Sequence, residues 1–199
     1  MNFAPLLARD TSTWTRIEGR KCGDCTLCCR ILPVHDPNLN KDHGVRCKHQ
    51  RHTGCVIYEN RPNTCRQWSC GWLVGLGVDK MSRPDRSGYV VDPIADFAIL
   101  TSPHMNDGKP FDQPMVVVWV DPKTPDKWRS DEALFEFFER WGEQGFGALV
   151  RYSSTLCVTV FPKSLTKLDT VTITPPKEAV LSETDPKVKF NRAKAALRK

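Results

Sequence analysis

Eight cysteines fall within the 49 residues from Cys22 to Cys70 of a 199-residue chain, and the ninth, Cys157, stands apart. That segment is rich in Gly, Pro, Asn and His and has few apolar runs, so it cannot order itself by burying a core of its own. It needs cross-links, either disulfides or shared metal ions. No stretch of the chain approaches the roughly 18 apolar residues of a membrane helix. Residues 1–15 lack the positive start and apolar run of a secretory leader. The expectation is a cytoplasmic protein, and in a reducing compartment clustered thiols are better explained by metal ligation or redox chemistry than by four disulfides.

Cys22, Cys25 and Cys28 form two overlapping Cys-x2-Cys knuckles, and Cys29 follows at once. Thiolates three residues apart converge on one ion while amides in the intervening turn donate to the sulfurs. Gly23, inside the first knuckle, suits the positive φ that such turns often adopt. Adjacent Cys28 and Cys29 leave the backbone in different directions, so one ligates while its neighbour serves a second centre or a core. With Cys47, Cys55, Cys65 and Cys70, the eight thiols allow two four-cysteine zinc sites, or one four-iron cluster with spare thiols. Tetrahedral sulfur suits zinc and iron-sulfur clusters alike, and the run departs from the Cys-x2-Cys-x2-Cys-x3-Cys-Pro spacing of ferredoxins.

His49, two residues after Cys47, is a further candidate ligand, whereas His35, His43 and His52 read as solvated loop residues. Cys157 lies in the alternating run Leu-Cys-Val-Thr-Val-Phe and reads as a small core hydrophobe.

The pattern resembles the CxxCxxCC family of zinc- or iron-chelating bacterial proteins. The matching residues are Cys22, Cys25, Cys28 and Cys29, then Cys47-Lys-His49, then Gly54-Cys55-Val-Ile57-Tyr58-Glu59-Asn-Arg61-Pro62-Asn-Thr-Cys65-Arg66, and finally Cys70-Gly-Trp72. The resemblance covers residues 21–72, about a quarter of the chain. It implies metal chelation, with zinc or iron as the cofactor. A related cysteine motif in flagellin lysine methylases implies an iron-sulfur role there, but this chain shows no methyl-donor site and that activity is not carried over.

The formal charge of +6 is local. Residues 186–199 hold six basic residues and no acidic one, and without them 23 basic residues face 23 acidic ones. Between Arg16 and Arg66, ten basic residues accompany five acidic ones. Thiolates on a divalent ion carry net negative charge, so these cations read as compensation for ligated sulfur, with Arg61 and Arg66 donating to thiolates or backbone carbonyls.

The rest reads as an α+β fold, in which a metal-stabilised Cys-rich N-terminal module precedes a mostly antiparallel sheet with one well-defined amphipathic helix. The expected division is a lead-in over 1–20, the cysteine module over 21–72, the α+β region over 73–180 and a basic tail over 181–199. Strands are expected from Gly88 to Val91, Asp96 to Thr101 and Met115 to Val120, as a hairpin around Ser153 and Ser154, and from Thr170 to Thr174. Ser130 is the expected N-cap of a helix whose stripe Leu134, Phe137, Phe138 and Trp141 faces the core.

Functionally the sequence predicts a metal-binding protein. The alternatives are an iron-sulfur redox protein or enzyme accessory, and a zinc-stabilised nucleic-acid-binding protein. The expected partners are metal ions and a protein met by the scaffold surface, with no membrane. Nucleic acid is the weaker partner: the tail favours it, but the chain lacks finger spacing and the stacking aromatics of single-strand binders. No Ser-His-Asp set, phosphate loop or Gly-x-Gly-x-x-Gly signature names a reaction.

Overall fold

A computed structural model describes residues 14–76, 80–161 and 172–174. The basic tail lies outside the described residues, as does most of the lead-in. The architecture turns on β6 (Phe111–Val120), whose last six residues are all buried. Even and odd positions of a strand face opposite sides. Val116, Val118 and Val120 meet the helix α5 (Glu132–Gly142) through Leu134, Phe137 and Phe138. Val117 and Trp119 point the other way, onto Leu27, Ile31, Leu32, Cys70 and Leu73. The apolar run is thus the middle layer of three, with a helix on one face and the cysteine segment on the other.

Around it the sheet runs β8-β7-β6-β5-β9, comprising β5 (Tyr89–Thr101), β6, β7 (Gly147–Arg151), β8 (Cys157–Val160) and β9 (Thr172–Thr174). Its pairings are antiparallel except β6 with β7, which are parallel because α5 crosses between them. The fold class is therefore α+β with a mostly antiparallel sheet, as expected. The two strands expected before residue 101 are one strand, broken by a register shift between Asp92 and Asp96 that accommodates Pro93.

The helix begins one residue later than expected. Lys127–Ser130 closes a 3-10 turn, and Asp131 becomes the N-cap, its carboxylate accepting from the Leu134 amide. The same carboxylate accepts from the Tyr89 hydroxyl at 2.9 Å, which locks the helix start to β5. The hairpin β7–β8 forms around Ser153 and Ser154, as expected. Cys157 is buried with Leu100, Met115 and Leu149.

The cysteine segment contributes only short elements. These are α1 (Leu27–Ile31), the hairpins β1 (Val34–Asp36) with β2 (Leu39–Lys41) and β3 (Gln50–Arg51) with β4 (Gly54–Cys55), α2 (Asn63–Gln67) and α3 (Gly71–Val74). A further turn of helix, α4 (Pro84–Ser87), leads into β5. Leu27 and Ile31, four residues apart on α1, are fully buried against the sheet.

Because this contact joins segment and sheet, Ile31→Val is expected to cost about 0.5–1.5 kcal/mol in global unfolding of the whole chain. Urea unfolding followed by fluorescence and circular dichroism should show a lower midpoint in one coincident transition. Two separate transitions, with only one displaced, would contradict the shared core.

Candidate metal centre

The first knuckle is a tight turn in which the Cys25 amide donates to the Cys22 carbonyl at 2.8 Å and Gly23 takes φ +51°. Thr26 then leads into α1, which carries Cys28 and Cys29 on successive positions. Successive helical residues diverge by about 100°, so α1 turns the two thiols in different directions. The Cys47 amide donates to the Cys29 carbonyl at 3.0 Å and fixes the next thiol beside the helix. From there the chain folds back: the Gln50 amide donates to the Cys47 carbonyl at 3.1 Å, and Gln50 pairs with Cys55 across β3 and β4.

This hairpin sits on the knuckle. The Gln50 side-chain amide donates to the Thr26 hydroxyl at 2.9 Å. Gly54, at φ +119°, lies so close that a Cβ there would meet the Gly23 carbonyl at 3.0 Å. A residue with a side chain at position 54 would part the two cysteine-bearing loops.

Cys65 rides on α2, which is held to β1 by Asp36. The Asp36 carboxylate accepts from the Thr64 hydroxyl at 2.9 Å and from the Asn38 amide. Cys70 caps α3, whose close approach to the sheet depends on Gly71, since a Cβ there would meet the Val91 side chain at 2.9 Å. Trp72 donates from its ring nitrogen to the Met81 carbonyl and lies under the Arg20 guanidinium.

All eight cysteines of the segment line a single cavity of about 240 Å³, and Cys157 does not. His49 lines it too, and its amide donates to the Cys47 sulfur at 3.4 Å. His35 and His52 are exposed, and His43 stacks on Trp119 instead. The sheet reaches the cavity through Trp119 and Asp92. Asp92, in the bulge of β5, accepts from the Trp68 ring nitrogen at 3.1 Å, and burial raises the pKa of its carboxyl. Sequence reasoning missed both residues. Their only signal was the Asp92-Pro93 interruption of a strand.

The cations follow expectation in part: Arg61 bonds a backbone carbonyl and favours the Cys29 anion, whereas Arg66 bonds a side chain. Arg61 donates to the Tyr58 carbonyl and stacks over the Tyr58 ring, and Arg20 donates to the Trp72 carbonyl. Arg66 bonds Asn63. Lys41 is buried in the segment, its ammonium donating to the Leu32 and Val45 carbonyls within electrostatic reach of Cys47, Cys29, Cys28 and Cys65. Arg83, beyond the cysteine segment, pairs with Asp24 in the first knuckle and with Asp85, and it too bears on Cys22 and Cys25.

Burial pushes the Cys70 thiol up to about 12 and, with the neighbouring Cys29 and Cys47 sulfurs, the Cys65 thiol up to about 11. Cys28 is raised by its hydrogen bond to Cys29 and by burial. Cys29 moves down, to about 7, because Cys28 donates to it and because Lys41 and Arg61 favour its anion.

The thiolate is the nucleophile. In metal-free, reduced protein, iodoacetamide is therefore expected to modify Cys29 first, at a rate that climbs as pH rises through about 7. Cys65 and Cys70 should lag until far higher pH. Peptide mass mapping on either side of neutrality checks this; equal labelling of Cys29 and Cys70 would contradict it.

Among the described residues no three His, Cys, Asp or Glu side chains stand arranged to hold a metal ion. The donor chemistry does fit one: eight free thiols around one cavity, with a buried ammonium beside them, form the soft-sulfur environment shared by zinc and iron-sulfur centres. No helix among the described residues is long and apolar enough to cross a membrane. Comparison of the chain with protein-family models, curated proteins and solved structures finds no match.

Proposed function

We propose that this chain is a metal-binding protein that chelates zinc or iron through Cys22, Cys25, Cys28, Cys29, Cys47, Cys55, Cys65 and Cys70. The observation that carries the reading is the convergence of these eight thiols on one cavity. They come from six separate short elements and turns that have no core of their own. Bound metal displaces the thiol protons, against the raised proton affinity of the buried thiols, and supplies folding energy to the segment. Lys41 then offsets the negative charge of ligated sulfur. The sheet with α5 on its far face is the rigid support, and a reducing cytoplasm is the compartment in which such thiols persist.

A second reading, an iron-sulfur protein, is favoured by the size of the cavity. About 240 Å³ is far more than the roughly 10–15 Å³ that a single water needs, and it leaves room for a multi-atom cluster. Anaerobic purification with elemental analysis and a visible spectrum separates the two. Stoichiometric zinc in a colourless sample selects the zinc form, and a brown sample with a reducible visible band selects the cluster. Folded protein with neither metal would sink both.

A further inference from the structure

The eight cysteines are not one undivided set. Cys22, Cys25 and Cys28 pack with Cys70 in the apolar cluster formed on the sheet by Leu27, Ile31, Leu73, Val90 and Val117. Cys29, Cys47, Cys55 and Cys65 take no part in that cluster. Their backbones are instead chained to one another, from the Cys29 carbonyl to Cys47, and from Cys47 through Gln50 to Cys55. Cys65 lies within electrostatic reach of Cys29, Cys47 and Cys55, and Cys70 within that of Cys22, Cys25 and Cys28. The buried Lys41 ammonium lies within electrostatic reach of Cys29, Cys47 and Cys65, and of Cys28 at the boundary. The groups touch where Cys28 hydrogen-bonds Cys29, and Cys22 lies within electrostatic reach of Cys29.

From this packing we infer that the chain holds two adjoining four-sulfur centres, Cys22, Cys25, Cys28 and Cys70 in one and Cys29, Cys47, Cys55 and Cys65 in the other, with the vicinal pair as their boundary. The inference rests on the metal-binding reading above and goes beyond it by assigning each ligand. It gives the vicinal pair a physical role. Consecutive residues on α1 leave the backbone about 100° apart while their sulfurs stay in hydrogen-bond contact, so one helix turn supplies one sulfur to each of two adjoining centres. It also makes the centres unequal: the first is backed by apolar side chains of the sheet, the second by a buried cation.

The test uses the full chain loaded with zinc under anaerobic conditions, with metal content by elemental analysis and unprotected thiols by N-ethylmaleimide labelling and peptide mapping. Cys25→Ser is expected to keep half the wild-type zinc and to leave Cys29, Cys47, Cys55 and Cys65 protected. Cys55→Ser is expected to keep the other half and to leave Cys22, Cys25, Cys28 and Cys70 protected. Cys70→Ser and Cys65→Ser should repeat the two patterns, which guards against one variant failing to fold. In wild type, limiting zinc should protect one whole set before the other.

If single substitutions in either set empty both centres, if protected thiols mix across the sets, or if all eight are protected in unison at limiting zinc, the division is wrong although metal binding stands. A wild-type chain that takes up no metal overturns both.

Discussion

Stripping the metal-loaded protein with a strong chelator is expected to remove on the order of 10–16 kcal/mol of binding free energy per four-cysteine centre near pH 7. Whole domains are stable by only about 5–15 kcal/mol, so the cysteine segment, still docked on the sheet through Leu27 and Ile31, should open far more readily. Its remaining supports are slight: hairpins of two or three residues per strand and helices of four or five, all too short to persist alone. The core of α5 against the opposite face of the sheet, built on Phe137, Leu134 and Val118, does not depend on the cysteines and should hold. Hydrogen exchange reads the difference. The amides of Cys25, Cys47 and Leu73 should become fast on chelation and slow again when metal returns, while those of β6 stay protected. Unchanged exchange throughout the segment would mean that metal contributes nothing to its order.

Lys41→Met should change stability in opposite directions in the two states. In the loaded protein, removing the buried cation leaves ligated thiolate without its compensating charge, and breaking a buried charge pair from one side costs about 3–5 kcal/mol. In the stripped protein the neighbouring thiols are largely protonated. Lys41 is then a buried ammonium held only by the Leu32 and Val45 carbonyls, with burial depressing its pKa. Replacing a lone buried charge by an apolar side chain of similar length is neutral or stabilising. Denaturant midpoints measured with and without metal check the reversal. A loss of equal size in both states would show that Lys41 acts through packing alone.

The class of the fold was legible in the sequence because its signals are local. The unbroken Met115-to-Val120 run marks a strand covered on both faces, and the stripe Leu134, Phe137, Phe138 and Trp141 marks a helix. The 3-10 turn that moved the cap from Ser130 to Asp131 was not legible, because the Tyr89 hydroxyl bond to Asp131 is long-range. The candidate site divides in the same way. Cysteine identity and the ambiguity at Cys28 and Cys29 could be read from spacing. Which thiols share a neighbourhood could not, since that depends on Cys47 bonding Cys29 and on Cys70 packing beneath the knuckle.

Charge compensation was anticipated from the ten basic residues around the cysteines, and Arg61 bonds a backbone carbonyl as expected, but composition did not single out Lys41 as the buried one. Its burial follows from the β1–β2 hairpin, which composition does not announce. Asp92 and Trp119 enter the cavity because β5 and β6 form its floor, a consequence of tertiary packing alone.

The central claim, that the eight clustered cysteines hold metal, is tested most directly by counting reactive thiols in native protein with Ellman's reagent before and after a chelator, while measuring the metal released. The account predicts that the clustered thiols are silent at first, that complete chelation releases metal and exposes all eight to the reagent, and that buried Cys157 responds only on unfolding. Eight thiols reactive at once in folded protein, with no metal released, would contradict it.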